Sequence, residues 1–284
     1  MHDVRLAPCL GRILEVTYTV PDLGVVEAAY TRWLGYRVTA RGFVSGALAR
    51  DWDAPALAGR AQLALEPAGG ESVALRFVFE PRAAGWRSLT TFGWNVSEIV
   101  VEDVDALAAR LSGSPFRIIG GPASLTRFPM IRAMQVVGPV GECLYFTQVG
   151  AGSGLDLARA EAPVGRVFIV VAGGPDVHRL FDTYAAFANE MDAPVRTRVQ
   201  VISQANGLPA DTLHAHGLVK LAHGSLIELD EYPPVATARP EPAGGLPAGM
   251  AVVSFEVKGR VGSALVRGTA GERLLLVGTN GGTP

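Results

Sequence analysis

A strand followed at once by an amphipathic helix recurs three times in this chain. A repeated supersecondary unit constrains a fold more than a local motif does, because every copy must bury the same kind of face. RILEVTYTV is β-branched and alternating, and PDLGVVEAAYTRWLG behind it places Val25, Ala28, Ala29 and Trp33 on one helical face that stops at Gly35. NVSEIVVEDVDALAARL repeats the order, with a strand from about Asn95, a cap near Asp103, and Val104, Leu107, Ala108 and Leu111 spaced for a buried face. RVFIVVAGGPDVHRLFDTYAAFANEM is the third copy, with Asp176 as its N-cap. Short extended stretches follow each copy: YRVTARGF, AQLALEP and ESVALRFVFEP; then FRIIGG and IRAMQVVGPVGECLYFTQV, turning at 138–141; then LHAHGLVKLAHGSLIELDEY. A fourth strand, MAVVSFEVKG, follows the proline-rich PPVATARPEPAGGLPAG. Too few residues separate it from the hairpin SALVRGTAGERLLLVG for a helix, so this unit is truncated. The small, polar stretch 151–165 has the composition of a linker. The expected fold is α+β, with two pseudo-symmetric domains of paired βαβββ modules over 1–150 and 166–284, the linker between them, and the fourth module truncated.

Composition narrows the partners. With 49% hydrophobic and 18% charged residues the chain has the balance of a well-cored globular protein. Its 25 basic and 27 acidic residues nearly cancel and form no basic block interleaved with aromatics, so no nucleic-acid partner is expected. Cys9 and Cys143 are too few and too far apart for a disulfide framework or a thiolate metal site, and Cys143 lies on a strand expected to be buried and inert. No apolar run is long enough to cross a bilayer, and MHDVRLAPCLGRILEV lacks the apolar core of a secretory signal. The expected compartment is the cytoplasm and the expected partner a small-molecule ligand, with no membrane contact. Neither VAGGPD nor VGTNGG has the spacing of a phosphate-binding loop, and no nucleophile elbow is present, so nucleotide cofactors are not indicated.

Four strand-helix-strand-strand-strand units in two pairs resemble the vicinal oxygen chelate superfamily of glyoxalases, extradiol dioxygenases and bleomycin-resistance proteins. The matching stretches are VTYTVPDLGVVEAAYTRWLGY, IVVEDVDALAARL, and the glycine-turn hairpins GPVGECLYFTQ and HGSLIELDE. The resemblance implies that paired modules curl into half-open barrels whose concave faces carry the site. It also implies metal ligands from a histidine near the start of each first strand and a glutamate in each last strand. Those positions hold Glu15, Val96, Arg166 and Val252, and about Ala74, Tyr145, Glu228 and Leu275. Only Glu228 matches, so no metal is expected at the usual positions and no cofactor is predicted.

The hairpin holding Glu228 carries three of the chain's five histidines. His214, His216, Leu218 and Lys220 share one strand face by parity. A three-residue turn at 222–224 sets Leu218 opposite Glu228, so that His216, Lys220 and Glu228 line one surface; a two-residue turn does not. Two readings stand side by side. In one, His214, His216 and Glu228 are catalytic acid/base groups or bind one divalent metal ion at a relocated site. In the other, Glu228 is paired to Arg166 or Lys220 in a half-buried hairpin. Glu15, Arg76, Glu98 and Tyr145 are expected together in the first cavity, either binding an oxygenated ligand or reduced to a Glu–Arg pair with Tyr145 as wall. Arg166 and Lys220 are expected to bind substrate. Trp52 and Trp86, in loop-like stretches, either cap a planar ligand or simply pack on the surface, the commoner role.

The resemblance implies a small-molecule enzyme: an isomerase, a lyase or a ring-opening oxygenase acting on an oxygenated, aromatic or non-aromatic metabolite. The alternatives that the missing ligand set leaves are a metal-free protein that sequesters a hydrophobic compound, or a non-catalytic partner subunit. With no helix behind MAVVSFEV, the face of Val253, Phe255 and Val257 is expected to need cover, from the proline-rich segment 233–249, from the stretch 261–266, or from a second copy of the chain in a homodimer.

Overall fold

The computed structural model describes residues 10–188, 190–258 and 261–279, so that Cys9 lies outside the described residues. The first module runs β1 (Leu10–Val20), α1 (Leu23–Ala29), β2 (Arg37–Phe43), a short α2 (Gly46–Asp51), β3 (Ala61–Glu66) and β4 (Ala74–Phe79). The second is β5 (Gly93–Val101), α3 (Val104–Leu111), β6 (Arg117–Ser124), β7 (Ile131–Val137) and β8 (Cys143–Val149). The third is β9 (Val164–Gly174), α4 (Val177–Ala185), β10 (Glu190–Arg198), a short α5 (Gln200–Ala205), β11 (Leu213–Lys220) and β12 (Leu226–Glu231). The fourth has β13 (Gly249–Lys258), β14 (Ser263–Arg267) and β15 (Arg273–Thr279), and among the described residues no helix follows its first strand.

One device starts the three longer crossovers. The carboxylates of Asp22, Asp103 and Asp176 accept hydrogen bonds from first-turn N–H groups: Val25 at 3.0 Å, Asp105 and Ala106 at 2.9 Å, and His178 at 2.9 Å. These donors have no partner within the helix, so the cap decides where each helix begins. The first helix departs from its expected face. It passes into a π turn over Tyr30–Leu34 and stops at Gly35 in the left-handed conformation (φ 73°). The wider turn shifts the phase, so that Val26, Ala29, Tyr30 and Leu34 are buried while Val25 is exposed.

The ladders do not follow the chain halves. β1 pairs antiparallel with β13, and β5 pairs antiparallel with β9. The first curled sheet has the order β14-β15-β13-β1-β4-β3-β2 and the second β10-β11-β12-β9-β5-β8-β7-β6. Each sheet therefore joins one module from either half: one with four, and two with three. The convex sides of the two sheets share the main core with α1, α3 and α4, and Tyr18 of β1 meets Ser97 Oγ of β5 across it at 2.7 Å. Phe255 is fully buried there, with its ring 6.1 Å from that of Trp94. The uncovered face that motivated a homodimer is thus already covered within the chain, by Trp94 and by helix α4 with Tyr184.

Both concave faces are also covered. Helix α2 and the 3-10 turn Pro55–Leu57 fold into the first, where fully buried Trp52 and Leu57 pack with Val78, Val252 and Leu275. Trp52 fills this cavity rather than capping a ligand, and half-buried Trp86 lies under the Arg239 guanidinium, 5.0 Å from it. In the second, Val201 and Ile202 of α5 close one end. The segment 151–165 closes the other: Leu157, Ala158 and Ala160 pack on Ile169 and Leu226, and the Ala158 N–H donates to Gly224 O at 3.0 Å. No helix among the described residues is long and apolar enough to cross a membrane.

Candidate active site

The first concavity pairs its half-buried carboxylate, Glu15, with a cation. Arg76 Nε and Nη2 donate to Glu15 at 2.8 and 2.7 Å, Arg76 Nη1 donates to Gln62 at 2.8 Å, and the Thr17 hydroxyl donates to Glu15 at 3.3 Å. A bidentate guanidinium–carboxylate pair with its remaining hydrogen bonds made is a closed polar network.

The second concavity carries a polar belt between its two apolar ends. Register places Glu98 beside Tyr145 and Ile169, Glu228 beside Val171 and Leu218, and Asp230 beside His216, so all these side chains share the concave face. His216, Glu228 and Asp230 each offer a ligand atom within 4.8 Å of the others. Asp230 is only 1% exposed, and neither of its carboxylate oxygens meets a donor. Five of the seven buried, partnerless side-chain polar atoms among the described residues belong here: Tyr145 Oη, His216 Nδ1, both Asp230 oxygens and Tyr232 Oη. Buried polar atoms are normally paired, so such a concentration marks a place built for something besides packing. The ring of Tyr232 occupies the space a side chain at position 173 would need, its atoms 2.4 Å from where a Cβ would stand, and Gly173 lets it reach the belt.

The electrostatics follow from burial without a cation. Desolvation pushes the Glu98 carboxyl up to about 8; the charge of Glu228 adds to this, and a hydrogen bond from the Thr147 hydroxyl opposes it. Asp230 is raised well above the usual carboxylate range by burial first, then by the charge of Glu228 and a hydrogen bond shared with it. Such a belt can hold protons on carboxyls at neutral pH and offer them to an oxygen atom entering the concavity.

The predicted residues divide between these surroundings. The three-residue turn is the register adopted: Leu218 faces Glu228, with His223 and Gly224 both left-handed (φ 59° and 65°). His216 and Glu228 therefore meet as that alternative required. His214 shares their face but is held 2.9 Å from Ser203 Oγ of α5, and Asp230 rather than His214 completes the group. Lys220 is at the exposed rim, 2.5 Å from Glu190 and 3.5 Å from Asp192. Arg166 does not reach Glu228. It is buried at the end of β9, 3.1 Å from Glu71, and donates to Ser225 Oγ at 2.9 Å and His223 O at 2.6 Å. The grouping of Glu15 and Arg76 with Glu98 and Tyr145 is corrected by the ladders, since the two pairs lie in different sheets. Cys143 is buried, and desolvation pushes its thiol up. Asp230, Thr147 and Tyr232 were missed. For Asp230 the signal was present in ELDEY, where it shares parity with Glu228.

This architecture, two curled sheets built from three strand-helix-strand-strand-strand modules and a fourth in which no helix is described, is a glyoxalase-like fold. Among solved structures the chain is similar to glyoxalase I from Zea mays, at TM-score 0.59 and 15% identity over 94% of this chain and 92% of that one. It is also similar to a putative dioxygenase from Bacillus subtilis, at TM-score 0.62 and 13% identity over 96% and 86%. By sequence, no family model and no curated protein matches.

Proposed function

We propose that the chain is a small-molecule enzyme of the isomerase or lyase type, with proton-transfer chemistry in the second concavity. The observation that carries this reading is the unpaired acidic belt, above all Glu98, whose carboxyl is pushed up to about 8 on a face it shares with His216, Glu228 and Asp230. An acid with a pKa near the working pH is the form in which proton transfer is most effective. In this reading Glu98 gives and recovers a proton at a substrate oxygen. The orphaned hydroxyls of Tyr145 and Tyr232 orient the oxygenated group. The positions where the resemblance puts metal ligands do not suit an ion: Glu15 is committed to Arg76, Arg166 is a cation, and Val96, Val252 and Leu275 have no donor. No step is assigned to a metal there.

The test is solvent exchange. Small 2-oxo and 2-hydroxy carbonyl compounds are incubated with the protein in D2O, and loss of the C–H signal beside the carbonyl is followed by NMR. Exchange is expected with at least one of them, and Glu98→Gln should slow it by about 100-fold. Absence of exchange across the set would overturn the reading. Binding without exchange would instead support sequestration of a hydrophobic compound, which the apolar wall of Leu89, Val171, Val201 and Tyr232 also suits.

A further inference from the structure

We infer that the β11–β12 hairpin is a divalent-cation site, with His216, Glu228 and Asp230 as its three protein ligands. This set does not come from the positions that the fold resemblance singles out, of which only Glu228 is a member. All three ligands belong to two adjacent strands, brought together by the three-residue turn. Their donor atoms lie within 4.8 Å of one another. Three ligands of one ion, each about 2.1 Å from it, stand roughly 3–3.6 Å apart, so from the outer limit of that spacing the side chains draw in by roughly 1–2 Å to close the set.

Three observations separate this group from an ordinary acidic cluster. First, Asp230 is 1% exposed and both of its oxygens lack a donor, while His216 Nδ1 beside it is also unpartnered. A buried carboxylate in that condition lacks a counter-charge, and a cation supplies one for both carboxylates together. Second, among the described residues no positive side chain is paired with the group. Lys220 is held by Glu190 and Asp192 at the rim, and Arg166 by Glu71 at the strand end. Third, the corresponding place in the other sheet is filled by a cation of the chain itself. Counted from the helix caps Asp22 and Asp176 and carried across the ladders, Arg76 corresponds to Glu228, Gln62 to His216 and Val78 to Asp230. Where the first sheet carries its own positive charge, the second presents one imidazole and two carboxylates. Those donors suit first-row divalent ions that accept mixed nitrogen and oxygen ligands, such as Mn2+, Fe2+, Co2+ or Zn2+.

The inference concerns the site of the proposed enzyme but does not depend on turnover, because ion counting reads occupancy and deuterium exchange reads proton transfer. The full chain is stripped with chelator at pH 8 and titrated with Mn2+, the free ion being followed by electron paramagnetic resonance. One ion per chain is expected. Asp230→Asn and His216→Ala should each weaken binding at least tenfold, while His214→Ala leaves it unchanged. Anomalous difference density from Mn2+-soaked crystals of the unaltered chain locates the ion without any variant. Absence of retention, several weak equivalents, or a single ion seated away from these three residues would each overturn the inference.

Discussion

The two concavities are built alike and solve opposite problems. Each lies on a sheet of two modules, and each is entered by a short helix inserted after the second strand of one of them, α2 in the module that starts at β1 and α5 in the module that starts at β9. In the first, a tryptophan fills the space and an arginine neutralises the half-buried acid. In the second the packing is confined to the two ends, and the acids between them have no arginine. Symmetric backbone placement therefore does not carry function with it. A few side chains at corresponding register positions decide whether a concavity becomes core or site.

The sharpest way to break this contrast is to empty the first concavity. Trp52 is completely buried among Leu57, Val78, Val252 and Leu275. Trp52→Ala should cost about 3–5 kcal/mol, as large-to-small core substitutions do. Urea denaturation measures it, and a loss below about 1 kcal/mol would mean that this cavity is not held by packing.

The next effect tests the charges. Arg76→Ala leaves Glu15 without its bidentate partner in a setting where both side chains are mostly shielded, at 18% and 16% exposure. Breaking a buried pair costs about 3–5 kcal/mol, and the residual water access here reduces that to about 2 kcal/mol. At the corresponding position of the other sheet, Glu228→Gln removes one of several crowded acids and should be neutral or stabilising in metal-free protein at pH 8. Equal losses in the two variants, read from chemical denaturation, would erase the distinction between the concavities.

Much of this arrangement is legible in the sequence, and the remainder is not for identifiable reasons. Three aspartates mark three helix starts, and Gly35 marks a stop, because capping is local chemistry between neighbouring residues. The choice of β13 rather than β5 as the partner of β1 is different. Ladder hydrogen bonds join backbone groups that every residue carries, so Val16 or Ile99 says which face is buried but not which strand lies alongside. That gap put Glu15 and Glu98 in one cavity when they belong to two. The role of His214 was hidden similarly. Parity places it on the face of His216, but its bond to Ser203 depends on α5 folding back over the sheet. Asp230 was readable from its spacing to Glu228. A carboxylate in a strand is usually solvated, and only the burial shown by the fold makes it unusual.

The smallest predicted effect concerns pH and separates the concavities by titration. The carboxyl of Glu98 is raised from 4.5 to about 8 in the folded chain, so the folded state binds its proton more tightly than the unfolded chain does. Its contribution to stability is fully present below about pH 4.5 and is lost progressively as the pH rises through 8. Glu142 and Glu272 are each raised to about 7, by burial first, and act in the same direction. The protein should therefore be less stable at pH 8.5 than at pH 6.5. Glu98→Gln removes one titrating group and should reduce that difference by about 1–2 kcal/mol, judged from the slope of about 1.4 kcal/mol per pH unit for one proton. Arg76→Ala, acting in the other sheet, should leave the Glu98 share of the slope in place. Denaturation curves for the three proteins at both pH values provide the comparison. An unchanged slope in Glu98→Gln would show that the second belt titrates as an ordinary solvated surface, and the contrast between the concavities would then rest on packing alone.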